Sequence, residues 1–84
     1  MTQQPRLQVY VSRHCFNCRE ALRLADAVAA RYPGLVQVID LDFTPAPLPE
    51  RVVAVPTYLL DGQVLSFGNP DPEDLFARLR EAVA

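Results

Sequence analysis

Eighty-four residues, half of them apolar and 21% charged, make one small domain with room for a single core. A formal charge of −2 with no basic run removes any electrostatic case for nucleic acid. No apolar stretch approaches membrane-spanning length and residues 1–6 contain no signal core, so the expectation is a cytoplasmic monomer with no membrane partner.

Residues 1–6 read as an N-terminal tail and residues 7–84 as the domain. Leu7 to Val11 has the pattern of a strand, with Val9 and Val11 on one face and Gln8 and Tyr10 on the other. Ser12-Arg13-His14-Cys15-Phe16-Asn17-Cys18 then leads into a helix from about Phe16 to Arg31, which Pro33-Gly34 stops. Its helical phase places Cys18, Ala21, Leu22, Ala25, Val28, Ala29 and Tyr32 on one apolar stripe. Leu35 to Leu41 is nearly continuous in apolar residues, as a strand buried on both faces would be. Strand, helix and strand make a βαβ unit, so the two strands should be parallel with a right-handed crossover.

Pro45, Pro47 and Pro49 forbid a continuous helix between Phe43 and Val55. Thr57-Tyr58-Leu59-Leu60 reads as a third strand, Asp61-Gly62 as a two-residue hairpin turn, and Gln63 to Phe67 as a fourth. Gly68-Asn69-Pro70 breaks the sheet. Asp71 then caps a last helix, with Pro72 at its first position and Leu75, Phe76, Leu79 and Val83 facing inward.

Chemistry concentrates in Cys15 and Cys18, the only cysteines, placed where a strand hands over to a helix. A helix start has free N–H groups and a partial positive charge, so it stabilises a thiolate set before it. Cys18 belongs to the apolar stripe and Cys15 precedes it. That asymmetry suits one reachable and one sheltered sulfur, as a dithiol that forms and resolves mixed disulfides requires. No cofactor beyond the dithiol is implied, and no metal site is assigned.

The CxxC at the first helix start of a βαβ-ββα chain resembles the thioredoxin fold. Val55-Pro56-Thr57 is similar to that family's cis-proline segment, and Asp61-Gly62 with Val64 and Gly68 to the hairpin and glycine that follow it. The resemblance implies an α/β, thioredoxin-like fold of glutaredoxin size. Its four-stranded mixed sheet would run second-first-third-fourth with both helices on one face. The middle helix would be reduced to the proline-rich segment, leaving apolar surface on the other face.

The same resemblance implies a thiol–disulfide oxidoreductase in which Cys15 attacks and Cys18 resolves, with Pro56 cis. His14, Phe16, Val55, Pro56 and Thr57 would contact the substrate. Partners would be a disulfide-bearing protein or a glutathione-type substrate, and a reductase or other electron donor. His14 stands where thioredoxins carry tryptophan, and Phe16-Asn17 replaces both Gly-Pro and the Pro-Tyr of glutaredoxins, so the motif leaves the two types open. Gly68-Asn69-Pro70-Asp71 also stands where glutaredoxins carry a Gly-Gly segment, and Val9 where thioredoxins bury an aspartate.

Two rival readings use the same residues. Soft-metal carriers of the ferredoxin-like kind also place CxxC after a first strand, but they end on a strand, and Arg13 stands where they carry methionine. A structural zinc needs four ligands, and Cys15, Cys18 and His14 supply three. The other rival is a redox-inert interaction module that keeps the dithiol without using it.

Overall fold

Leu7, Val9 and Val11 point their side chains into the core and anchor the strand from which the sheet is built. In the computed structural model, which describes residues 4–12, 15–43, 52 and 54–84, this strand is β1 (Leu7–Val11). It is followed by α1 (Cys18–Arg31), β2 (Val36–Asp40), β3 (Thr57–Leu60), β4 (Gln63–Phe67) and α2 (Pro72–Val83). Among the described residues the strands form one mixed sheet in the order β2-β1-β3-β4. β1 pairs in parallel with β2, Leu7 opposite Val36 and Val9 opposite Val38. On its other side it pairs antiparallel with β3, Val9 opposite Tyr58 and Tyr10 opposite Thr57.

Both helices pack on the face that carries Val9 and Tyr58. Cys18, Ala21, Leu24 and Val28 of α1 join Leu75 and Leu79 of α2 in one buried cluster with the β1 side chains. At the end of α1, the Arg31 guanidinium carbon lies 5.8 Å from the centroid of the Phe76 ring of α2, within cation–π range. On the opposite face Tyr10, Thr57 and Leu59 are 4%, 0% and 2% exposed, while Phe67 at its rim is exposed. The expected proline-rich cover concerns residues 44–51 and 53, which lie outside the described residues.

Four local expectations need correction. The helix begins at Cys18, not Phe16; Phe16 and Asn17 belong to the turn before it. Its buried side centres between Ala21 and Val28, which brings Leu24 inside and leaves Leu22 and Ala29 exposed. β2 is not buried on both faces: as an outer strand it has β1 alone as a neighbour, and Gln37 and Val38 are exposed. In α2 Leu75 and Leu79 are buried and Phe76 packs half-buried against the core as expected, but Val83 is exposed in the last turn.

The ends of the elements are set by local chemistry. Asp71 accepts from the N–H groups of Glu73 at 3.1 Å and Asp74 at 3.2 Å, and Pro72 opens α2; such a cap contributes about 1 kcal/mol. Asp61 and Gly62 both take positive φ, 51° and 82°, as a type I′ hairpin turn requires. Asp61 also exchanges bonds with Arg6: the Arg6 N–H donates to Asp61 Oδ1 and the Asp61 N–H to the Arg6 carbonyl, each at 2.9 Å. The hairpin is thereby fastened to the chain entering β1, at the end of the sheet remote from the cysteines.

Candidate active site

The cysteine pair sits where β1 passes into α1. Cys15 lies two residues before the helix cap, Asn17, and Cys18 is the first helical residue. Their Cα atoms are 5.3 Å apart and the sulfurs are joined as a disulfide. Cys18 is only 3% exposed and belongs to the core, whereas Cys15 is half-buried. The turn between them is closed by the Cys18 N–H, which donates to the Cys15 carbonyl at 3.3 Å. The Asn17 side chain makes no cap hydrogen bond, so the helix start beyond the Cys18 N–H keeps donors that favour an anion placed before it.

The predicted substrate residues fall on two sides of this pair. Phe16 lies on one side, almost wholly exposed at 96%. It borders a groove of about 620 Å³ walled also by Val11, Cys15, Leu22, Val38 and Asp40. This groove runs between α1 and the outer strand β2, and Val55, Pro56 and Thr57 do not line it. Those three stand on the β3 side of β1. Because Thr57 pairs with Tyr10, Pro56 enters the sheet at the end of β1 that leads to Cys15. The Val55–Pro56 peptide bond is cis, Pro56 and Thr57 are buried, and Val55 is half-buried. The Thr57 hydroxyl donates to the Ala54 carbonyl. His14 and Arg13 lie outside the described residues.

Two residues of the segment that breaks the sheet, Gly68 and Asn69, join the two sides. The Gly68 N–H donates to the Pro56 carbonyl at 2.7 Å. Next to it, Asn69 donates from Nδ2 to the Asn17 carbonyl at 2.9 Å, and its Oδ1 accepts from the Tyr58 hydroxyl at 2.8 Å. Tyr58 is fully buried. Burial first, and the Glu20 carboxylate second, push its phenol above the ordinary range, so it remains protonated and able to donate. The sequence signal for Asn69 was slight: an amide among turn residues, with nothing local to say that it reaches the cysteine turn.

The groove is apolar along Phe16, Leu22 and Val38, and its charges nearly balance. The Arg23 guanidinium lies 3.5 Å from the Glu20 carboxylate, an exposed pair of little energetic weight. Among the described residues no group of three or more His, Cys, Asp or Glu side chains is placed to hold a metal ion. Among them also, no helix is long and apolar enough to cross a membrane.

Element order, strand order and the packing of both helices on one face define a small thioredoxin-like α/β fold. No family model matches the sequence, and no curated protein matches it. Solved structures do match. A selenoprotein W-related protein from Vibrio cholerae aligns over 98% of this chain and 100% of its own, with a TM-score of 0.64 at 14% identity. At that identity the likeness concerns the fold alone.

Proposed function

We propose that the chain is a thiol–disulfide oxidoreductase working through Cys15 and Cys18. The observation that carries this reading is the unequal burial of two sulfurs within bonding distance at a helix start. Cys15 is the nucleophile: its thiolate attacks one sulfur of a substrate disulfide, forming a mixed disulfide and expelling the other sulfur as a thiolate that takes up a proton. Cys18 then loses its proton and attacks the Cys15 sulfur. The Cys15–Cys18 bond forms, the mixed disulfide breaks, and the substrate leaves with both sulfurs reduced. Two electrons pass from the dithiol to the substrate, and a thiol donor restores the dithiol for the next turnover.

The uncapped start of α1 favours a thiolate at Cys15 through its N–H groups and dipole. Phe16 gives a substrate an apolar surface beside the reacting sulfur, and Val55, Pro56 and Thr57 bound the other side. His14, next to Cys15 in the sequence, would contact the same substrate. Substrates of this chemistry are a disulfide-bearing protein or a glutathione mixed disulfide, and reduction of either suits the cytoplasm, where thiols are kept reduced.

Turnover of a protein disulfide with dithiothreitol, and of a glutathione mixed disulfide with glutathione, tests the reading. The wild type should turn over at least one. Cys15→Ser should abolish activity, and Cys18→Ser should accumulate a mixed disulfide on Cys15. A wild type inert toward both substrates leaves an interaction module, and stoichiometric Cu(I) retained through desalting points to a metal carrier.

A further inference from the structure

The peptide unit between Asn17 and Cys18 is held at both of its polar ends. Its N–H, on Cys18, donates to the Cys15 carbonyl at 3.3 Å. Its carbonyl, on Asn17, accepts from the Ala21 N–H at 3.3 Å and from Asn69 Nδ2 at 2.9 Å. The first two bonds come with the turn and the helix themselves. The third arrives from the connection between β4 and α2. A carbonyl can only accept, so Asn69 turns its amide nitrogen to Asn17 and its oxygen to Tyr58, which therefore donates. The fully buried Tyr58 ring anchors this relay in β3, beside the core strand β1.

We propose that Asn69 is a positioning residue for the dithiol, holding the Asn17–Cys18 peptide so that the Cys18 sulfur stays within reach of the Cys15 sulfur. The proposal rests on the thiol–disulfide reading given above. A held turn raises the effective concentration of one thiol at the other and so favours the internal disulfide over two mixed disulfides. Loosening the turn lowers that concentration and makes the disulfide easier to reduce.

The test equilibrates the whole chain with reduced and oxidised glutathione. In the oxidation measured, the Cys15–Cys18 bond forms, the glutathione disulfide breaks, and the two protein thiol protons pass to two glutathione thiols. Asn69→Ala should lower this equilibrium constant roughly two- to tenfold, the scale of one hydrogen bond. Tyr58→Phe keeps the ring in the core and loses only the anchor, so it should shift the constant the same way by a smaller factor. Because both residues act through one contact, the double variant should fall no further than Asn69→Ala alone. Asp61→Ala, which loosens the hairpin at the other end of the sheet, is the destabilised control and should keep the wild-type constant.

Wild-type cysteines that reach no disulfide equilibrium with glutathione overturn the reading and the proposal together. A measurable wild-type constant that Asn69→Ala and Tyr58→Phe both leave unchanged overturns the role of Asn69 alone. So does an Asp61→Ala constant that falls as far as that of Asn69→Ala.

Discussion

Gly68 and Pro56 are joined by a 2.7 Å hydrogen bond from the glycine N–H to the proline carbonyl. This bond ties the residue after β4 to the residue before β3, next to Asn69 and its contact with Asn17. Gly68 takes a φ of +81°, and a Cβ built there would meet nothing within 4 Å. Substitution therefore acts through the backbone and not through a clash. Gly68→Ala should lower the unfolding free energy by about 1–2 kcal/mol, the cost of a left-handed conformation for an L-residue. Gly68→Asn should cost less, because asparagine tolerates that region. Denaturant midpoints read both, and an alanine variant as stable as the wild type would contradict the account.

Tyr58 gives the fold a pH dependence on the alkaline side. Burial, then Glu20, raises its phenol above the ordinary value of 10.0 in the folded state. The unfolded chain releases this proton at the ordinary value while the folded chain keeps it. The unfolded state thus binds fewer protons above that pH, and stability falls as pH rises. The contribution is complete below the unfolded value and declines above it. Unfolding at pH 8 and pH 11, with both cysteines replaced by serine so that no thiol titrates, should show a larger loss for Tyr58 than for Tyr58→Phe. Equal losses would remove Tyr58 as the source.

What the sequence disclosed were the features set by near neighbours. The CxxC at a strand-to-helix handover, Asp61-Gly62 at positive φ, and Asp71 before Pro72 each depend on a few adjacent residues, and each appears where the pattern placed it. Distant geometry was not legible. Leu22 and Leu24 flank the buried side of the helix on opposite edges, and only the position of the sheet sends the first out and the second in. An outer strand and a central one can share the run Val36-Gln37-Val38-Ile39, so the exposure of Val38 had no local sign. The contact from Asn69 to Asn17 spans 52 positions, beyond any turn or helix period.

Phe16 should affect substrate and leave the fold alone. At 96% exposure it contributes little to folding, so Phe16→Ala should change unfolding stability by no more than about 0.5 kcal/mol. Its loss removes the apolar contact at the mouth of the groove. KM for a protein disulfide should therefore rise severalfold with kcat nearly unchanged, the pattern of lost uniform binding. A small disulfide, which does not extend along the groove, should show neither change. A fall in kcat with KM constant would instead place Phe16 in the chemistry.

The burial difference between the sulfurs fixes which one reacts with an external reagent. Cys15 is half-buried, ahead of an uncapped helix start, while Cys18 is 3% exposed within the core cluster. The N–H groups and dipole of α1 favour charge at a sulfur placed before the helix, whereas apolar surroundings disfavour it at a buried one. Both effects, and access itself, point the same way. In the reduced protein, Cys18→Ser should be alkylated rapidly by iodoacetamide at neutral pH. Cys15→Ser should react at least about tenfold more slowly while folded, since a difference of roughly 1.4 kcal/mol in thiolate stability alone gives that ratio. In denaturant the two variants should react at similar rates, because the unfolded thiols share one environment. A faster folded-state reaction at Cys18 would reverse the roles of nucleophile and resolving thiol, and equal folded rates would remove the distinction on which the proposed cycle depends.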